Sequence, residues 1–251
     1  MMMSLKNVYV TLGANTKLER NVLKGLSMEI TEGEFVVLIG GNGAGKSTLF
    51  SILSGYRLPD KGSIFIDKTD VTKISQPTRS AFVSEVMQDP KLGTMEKMTI
   101  EENLSFALMR GRKRHLLPHN TKSRRNLFRE KLSLLNMKLE DRMDELVGNL
   151  SGGQRQALAL IMAVLTESKV LLLDEITAAL DPKTAENVMN LAAKIVEEQK
   201  QTTLMITHNM HHAIQYGDRL MLLQDGKITK KYSKSQKSVL TPLTIAQEFC
   251  D

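Results

Sequence analysis

A glycine-rich loop is the feature that most constrains what this chain can fold into. Residues Gly40 to Thr48 read Gly-Gly-Asn-Gly-Ala-Gly-Lys-Ser-Thr and satisfy the pattern GxxxxGK[ST]. The loop follows the apolar run Phe35 to Ile39, which predicts a buried strand, and it opens a predicted helix from Lys46 to Leu53. A strand, such a loop and a helix in this order predict an α/β sheet with a phosphate-binding turn.

Each residue type in this P-loop has a chemical reason. Glycines let the backbone wrap around phosphates, while the amides and the helix N-terminus supply a positive field. We expect Lys46 to reach the β and γ phosphates, and the Ser47 hydroxyl to bind Mg²⁺. The candidate ATP-binding residues are Gly40, Gly41, Asn42, Gly43, Ala44, Gly45, Lys46, Ser47 and Thr48.

Two carboxylates end a second apolar run. Asp174 and Glu175 follow Val170 to Leu173, which predicts a buried strand with both acids at the carboxyl edge of a parallel sheet. Asp174 is expected to hold Mg²⁺ through water, and Glu175 to polarise the attacking water as a general base. Such a pair means little alone and gains its significance from the P-loop.

The remaining patterns predict the fold class. Short strands at Leu5 to Thr11, Leu26 to Ile30 and Gly62 to Asp67 predict an N-terminal antiparallel β subdomain. Helical spacing without strands from about Thr99 to Val147 predicts a helical subdomain, spanning approximately 90–160, inserted in one domain of 1–251. The expected architecture is an α/β P-loop NTPase core, a mostly parallel sheet with flanking helices, carrying these two additions.

Alternation of helices and strands resumes after the predicted insertion. Helices are predicted from Gly152 to Leu165 and from Pro182 to about Lys200, and a strand is predicted after the second helix, at Thr202 to Thr207. A final hairpin is predicted around Asp225-Gly226.

The chain gives no sign of export or of crossing a membrane by itself. Its N-terminus has no apolar run behind its charge, and the longest apolar run, Ala157 to Leu165, is too short to span a bilayer. We therefore expect a cytoplasmic location. The single cysteine, Cys250, cannot form an internal disulfide, and its place beside the last residue makes a catalytic role unexpected.

The net charge of +6 is concentrated in one segment. Between Arg110 and Lys131 nine Lys and Arg face one acid, Glu130, a net +8 that leaves −2 for all other residues. Phe128 is the only aromatic residue there, so stacking on single-stranded nucleic acid is weakly supported and no specific nucleic acid is expected. A solvated helix face and contact with anionic lipid or with an acidic loop of a partner both remain open.

Four further motifs give the chain a resemblance to a known family. Leu150 to Gln154 read Leu-Ser-Gly-Gly-Gln, Gln88 lies in Val-Met-Gln-Asp-Pro, Asp181 follows Ala-Leu, and His208 follows Ile-Thr. With the P-loop and Asp174-Glu175 they appear in the order of ATP-binding-cassette (ABC) ATPase subunits, and the resemblance covers essentially the whole chain. The Leu-Ser-Gly-Gly-Gln signature is the most specific of these motifs.

The resemblance implies a head-to-tail dimer that holds two ATPs. Ser151, Gly152, Gly153 and Gln154 are then expected to contact the ATP of the opposing subunit, at the N-terminus of a helix. Gln88 resembles the residue that contacts Mg²⁺ and the attacking water. His208 resembles the histidine that contacts the γ-phosphate, and Asp181 the residue that couples the two sites.

Two positions depart from the family pattern. Many relatives stack an aromatic side chain on adenine where this chain has Leu12, while the nearby Tyr9 has a different phase on its strand. Apolar contact from Leu12 or another side chain is expected to replace stacking at a cost of about 1 kcal/mol. Ile176 stands where a proline is common after the acidic pair, and we expect it to leave the chemistry intact.

The function implied by the resemblance is that of an ATP-hydrolysing transporter subunit. It pairs with itself or with a second ABC ATPase, binds a separate permease at the inner face of the membrane, and in importers works with an extracytoplasmic substrate-binding protein. The leading expectation is an importer, because Met98 to Asn103, the basic segment and Thr177 to Ala185 resemble a branch of importer ATPases with some members associated with amino-acid uptake. Two alternatives are a soluble ABC ATPase acting on ribosomes or DNA and a non-hydrolysing structural cassette.

Overall fold

Ten strands are present in the computed structural model, which describes residues 1–111 and 121–248. They are β1 (Met3–Leu12), β2 (Arg20–Ile30), β3 (Phe35–Gly40), β4 (Lys61–Ile66), β5 (Thr69–Asp70), β6 (Val83–Val86), β7 (Val170–Asp174), β8 (Thr203–Ile206), β9 (Arg219–Gln224) and β10 (Lys227–Tyr232).

Helices connect these strands and fill the segment between β6 and β7. They are α1 (Lys46–Ser54), α2 (Gln76–Arg79), α3 (Pro90–Gly93), α4 (Ile100–Leu108), α5 (Lys122–Ser133), α6 (Gly152–Val164), α7 (Pro182–Gln199), α8 (Met210–Gln215), α9 (Lys234–Lys237) and α10 (Pro242–Gln247). Short 3₁₀ turns occur at Leu139–Asp141 and Val147–Asn149.

The strands form two sheets. The first is antiparallel with the order β2-β1-β4-β5. The second has the order β10-β9-β3-β8-β7-β6, in which all neighbours are parallel except the edge pair β9 and β10. The predicted α/β class, with a mostly parallel sheet and an N-terminal antiparallel sheet, is confirmed.

The parallel sheet is buried on both faces and separates two apolar cores. Because side chains alternate along a strand, Val37 enters one core and Leu38 the other. One core contains α6 and α7, and the second is closed by α1 and the antiparallel sheet. This double burial explains why the strands read as continuous apolar runs rather than as alternating ones.

A helical layer covers one core. Phe128 and Leu132 of α5 are fully buried there, as are Ile100 and Leu104 of α4. The α4 N-terminus is fixed by a capping box in which Thr99 and Glu102 satisfy each other's backbone amides. These helices lie within the segment of approximately 90–160 predicted as an inserted subdomain.

The structure departs from the predicted elements in a few places. The strand β6 was not predicted, because Ser84 and Glu85 interrupt its apolar residues. It still joins the sheet, where it pairs in parallel with β7 and the Ser84 hydroxyl lies 2.7 Å from that of Ser168. The helices α6 and α7 end at Val164 and Gln199, each one residue before its predicted end. The strand β2 begins at Arg20, six residues before the predicted start at Leu26.

Much of the predicted basic segment has internal partners. The Arg110 guanidinium donates to the Thr166 carbonyl at 2.6 Å, and burial lowers its pKa to about 10. Arg125 pairs with Glu101 and Asp144. Arg112, Lys113 and Arg114 lie outside the described residues, as does Cys250. A purely solvated basic face is therefore wrong for Arg110 and Arg125.

A buried arginine links the end of α1 to the β5–α2 connection. Arg79 has no exposed surface, and its guanidinium donates to the carbonyls of Ile52, Val71 and Ile74. These acceptors lie on separate chain segments, so one side chain satisfies backbone groups that water cannot reach.

Replacing this arginine should destabilise the fold strongly. We expect Arg79→Met to lower the free energy of unfolding by about 2–4 kcal/mol, since it leaves buried carbonyls without donors. Urea unfolding followed by circular dichroism measures this. The matched control is the exposed Arg57→Met, expected within about 0.5 kcal/mol of the parent. Equal stabilities for both variants would contradict the assigned role.

Candidate nucleotide site

The P-loop joins β3 to α1 in a shape that requires glycine at two positions. A Cβ on Gly40 would lie 2.5 Å from the Leu223 carbonyl oxygen of the neighbouring strand. Gly45 caps α1 with φ 107°, a left-handed conformation that side-chain-bearing residues avoid. The loop backbone can therefore curl tightly, as a phosphate-binding turn must.

Lys46 closes this turn from inside. Its Nζ donates to the Gly40 carbonyl at 2.8 Å and to the Gly41 carbonyl at 3.1 Å, and the residue is only 7% exposed. Burial lowers the pKa of Lys46, and the nearby carboxylates of Glu175 and Asp174 oppose that shift. The ammonium lies between the loop and the acidic pair.

Glu175, the predicted base, and His208, predicted to contact the γ-phosphate, are in direct contact. Glu175 follows β7 with φ 45°, and its amide donates to the Ile206 carbonyl at 3.0 Å. His208 follows the adjacent strand β8, and its Nε2 lies 2.8 Å from Glu175 Oε1. The imidazole can thus orient the carboxylate, which is a requirement for a positioned general base.

Asp174, the acidic candidate for metal binding, is half-buried at the end of β7. Burial and then the charge of Glu175 raise its pKa to about 6, partly offset by Lys46. Within the described residues, no cluster of three or more His, Cys, Asp or Glu could hold a metal ion alone. One carboxylate and the Ser47 hydroxyl nevertheless suit Mg²⁺, which takes its other ligands from phosphates and water.

The P-loop and the strand ends beside it line a cavity of about 240 Å³. The lining includes the residues from Asn42 to Thr48, apart from Ala44, together with Glu175 and His208. Leu12, Arg20 and Val22 line it from β1 and β2 and form the β1–β2 wall. Of the predicted P-loop and acidic residues, Gly40, Gly41, Ala44 and Asp174 are not among the lining residues. Sequence reasoning missed Arg20 and Val22, because the predicted strand in that region began only at Leu26.

Three predicted features lie elsewhere on the chain. Gln88 is exposed two residues beyond β6, at the carboxyl edge of the sheet but not on the cavity wall. Asp181 is exposed and caps α7 by accepting from the Thr184 backbone amide at 3.1 Å. Hydrogen bonding with the Thr184 side chain, and then with its backbone amide, lowers the pKa of the Asp181 carboxyl. None of the residues from Leu150 to Gln154 lines the cavity.

The signature segment forms the N-terminus of α6. Ser151 and Gln154 make a capping box, with the Ser151 amide donating to Gln154 Oε1 at 3.1 Å. A Cβ on Gly153 would lie 2.1 Å from Thr184 Cγ2, so glycine permits close contact with α7. Ser151 and Gly152 are exposed. The single chain therefore presents this helix terminus outward, away from its own P-loop.

The family model described as "ABC transporter" matches residues 23–178, which contain the P-loop, the signature and the acidic pair. The chain belongs to the ABC transporter family. As an ABC ATPase it binds ATP and couples ATP hydrolysis to transport.

Curated relatives of this ABC ATPase align over most of their length. The tyrosine transport ATP-binding protein of Clostridioides difficile is 46% identical over 91% of this chain and 90% of the relative. A methionine import ATP-binding protein of Mannheimia succiniciproducens is 32% identical over 99% of this chain and 70% of the relative.

Solved structures share the fold. A dimeric, post-hydrolysis ABC structure bound to ADP and Pi, that of MJ0796, superposes with a TM-score of 0.79 at 29% identity, covering 93% of this chain and 99% of that one. Another dimeric structure of the same cassette gives 0.80. These likenesses favour a transporter subunit over the soluble alternative.

A second carboxylate near Asp174 makes stability depend on pH. Burial and the charge of Asp174 raise the pKa of Glu85, on β6, to about 7 from an ordinary 4.5. Between these two values the folded chain holds a proton that the unfolded chain has lost, so stability falls as pH rises from 4.5 to 7.

Removing the Glu85 charge should therefore stabilise the ABC ATPase at alkaline pH. We expect Glu85→Gln to raise the free energy of unfolding by on the order of 1 to 3 kcal/mol at pH 8 and to change little near pH 4.5. Thermal melts in metal-free buffer at both pH values test this, with the exposed Glu29→Gln as control. A gain that is the same at both pH values would refute it.

Proposed function

We propose that this ABC ATPase powers an importer of an amino-acid-like solute, acting as a head-to-tail dimer on a separate permease. The observation that carries the dimer is the separation of two half-sites in one chain. The P-loop cavity contains Lys46, Glu175 and His208, while the signature helix terminus at Ser151 and Gly152 faces outward. A helix N-terminus is an anion site, so two antiparallel copies can complete each other.

The chemistry proposed for the site is positioning and electrostatic stabilisation. Lys46 and the P-loop amides bind the phosphates, and Glu175 accepts a proton from the attacking water while His208 holds its carboxylate. Ser47, Asp174 and Gln88 would hold Mg²⁺, which would neutralise phosphate charge when bound. Asp181, which caps the helix packed against the signature, couples the two sites.

Substitution of Glu175 tests its proposed role as the general base. We expect Glu175→Gln to bind Mg-ATP with about wild-type affinity and to lose at least about 100-fold in steady-state hydrolysis, since the amide cannot accept the proton. Phosphate release measures this. The matched control, Glu186→Gln on α7, should keep wild-type turnover. Wild-type hydrolysis by Glu175→Gln would remove Glu175 from the role of base.

The dimer has its own test. Light scattering after gel filtration should show Glu175→Gln as a dimer with Mg-ATP and as a monomer without nucleotide. Adding Ser151→Arg should keep it monomeric while ATP still binds, because a bulky cation blocks the helix terminus that faces the second nucleotide. A dimer that persists in the double variant would contradict the head-to-tail arrangement.

A groove of about 140 Å³ supports a permease partner. It lies between β6 and the helices α3, α4 and α6, with Glu85 and Arg110 among its lining residues. Beside it, Leu92 is 73% exposed and Phe106 is 50% exposed. A surface that combines exposed apolar side chains with a carboxylate and a guanidinium suits a partner helix of mixed character.

The groove also connects to the catalytic edge of the sheet. Gln88 follows the groove residue Met87, and the Met87 carbonyl accepts a hydrogen bond from the Gln156 amide on α6 at 3.1 Å. A partner seated between the sheet and the helical layer would therefore touch the segment that carries Gln88. This placement supports a coupling of permease movement to ATP hydrolysis.

The location and the remaining partners follow from this assignment. The described residues contain no helix long and apolar enough to cross a membrane. Because the proposed partner is a permease, we propose peripheral attachment at the cytoplasmic face of the membrane. An extracytoplasmic substrate-binding protein completes the importer. The 46% identity to a tyrosine transport ATP-binding protein supports amino-acid-like uptake. Genes for a multi-span permease and a secreted binding protein beside this gene are the expected context.

A further inference from the structure

The nucleotide cavity has no aromatic side chain on the wall formed by β1 and β2. Leu12 lines that wall. Tyr9, three residues earlier, covers Gly25 instead: its hydroxyl oxygen is 2.8 Å from where a Cβ of Gly25 would be. Among the described residues, the wall therefore lacks the aromatic platform that nucleobases commonly stack on.

Arg20 lines the same wall, where it is the cross-strand neighbour of Leu12. The two residues are paired in the antiparallel register of β1 and β2, and both line the cavity. The Arg20 Nη2 donates to the Gly43 carbonyl at 3.1 Å, and its guanidinium covers Gly43, whose Cβ would lie 2.9 Å from Nη2. One hydrogen bond thus fixes a planar cation at the rim of the P-loop.

The surroundings of this guanidinium indicate which part of a nucleotide it would contact. Lys46 lines the cavity from the predicted phosphate-binding turn, whereas Leu12, Arg20 and Val22 line it from β1 and β2. A guanidinium plane stacks on aromatic rings, whereas an ammonium lacks that plane. Apolar neighbours on the same wall favour a flat heterocycle over an additional phosphate group.

We infer that Arg20 is a specificity-determining residue whose guanidinium stacks on the purine base of ATP, with Leu12 and Val22 completing the base-binding wall. This inference rests on the ATP site of the proposed function and needs neither the permease nor the dimer. The hydrogen bond to Gly43 orients the guanidinium, so base binding and loop geometry are linked through one side chain.

The test compares two ligands that differ only in possessing the nucleoside. Isothermal titration calorimetry gives the affinity of the full chain for Mg-ATP and for Mg-tripolyphosphate. We expect Arg20→Ala to weaken Mg-ATP binding about three- to tenfold and to leave tripolyphosphate within about twofold. Arg20→Lys, which retains charge without the plane, should resemble Arg20→Ala.

Two further variants distinguish stacking from a structural effect. Lys17→Ala, exposed in the same β1–β2 connection, is the matched control and should bind both ligands like wild type. Arg20→Ala combined with Leu12→Phe restores an aromatic wall and should return Mg-ATP affinity to within about twofold of wild type. Melting temperatures without ligand verify that each variant is folded.

The remaining outcomes overturn the inference. Equal loss for ATP and tripolyphosphate would place Arg20 on the phosphates or on the loop itself. Wild-type affinity in Arg20→Lys would show that charge suffices, and no change in Arg20→Ala would remove the residue from binding. Failure of the wild-type chain to bind Mg-ATP would instead contradict the proposed function, so the two failures are distinct.

Discussion

The catalytic arrangement depends on the adjacency of three parallel strands. The order β3-β8-β7 places the P-loop, His208 and Glu175 on successive strand ends at one edge of the sheet. Parallel strands all end at the same edge, so residues far apart in sequence converge without long loops. The buried cores on both faces keep this edge rigid, and the contact between Glu175 and His208 follows from it.

A second constraint joins the signature to the segment after the acidic pair. Close packing of Gly153 against Thr184 ties the start of α6 to the start of α7, whose cap is Asp181. The signature and Asp181 therefore form one packed unit. In a dimer, this unit would transmit the state of one nucleotide to the acidic pair beside the other.

The sequence was most informative where one residue type has one physical use. The P-loop glycines, Lys46 and the acids at the end of β7 could be predicted because few alternatives satisfy the same spacing and context. The strand β6 could not, since Ser84 and Glu85 hide its apolar pattern. Arg20 could not either, because its relevance comes from cross-strand pairing with Leu12, and pairing register is not visible in a single segment.

The hydrogen bonds of Lys46 have a consequence for nucleotide exchange. Its ammonium donates to the Gly40 and Gly41 carbonyls, so loop oxygens accept the hydrogen bonds that phosphate oxygens would otherwise accept. A buried cation without such partners would be costly and would invite collapse of the turn. The chain can thus release its product without unfolding its binding loop, at the expense of some affinity, because each incoming nucleotide must displace bonds worth about 1 kcal/mol apiece.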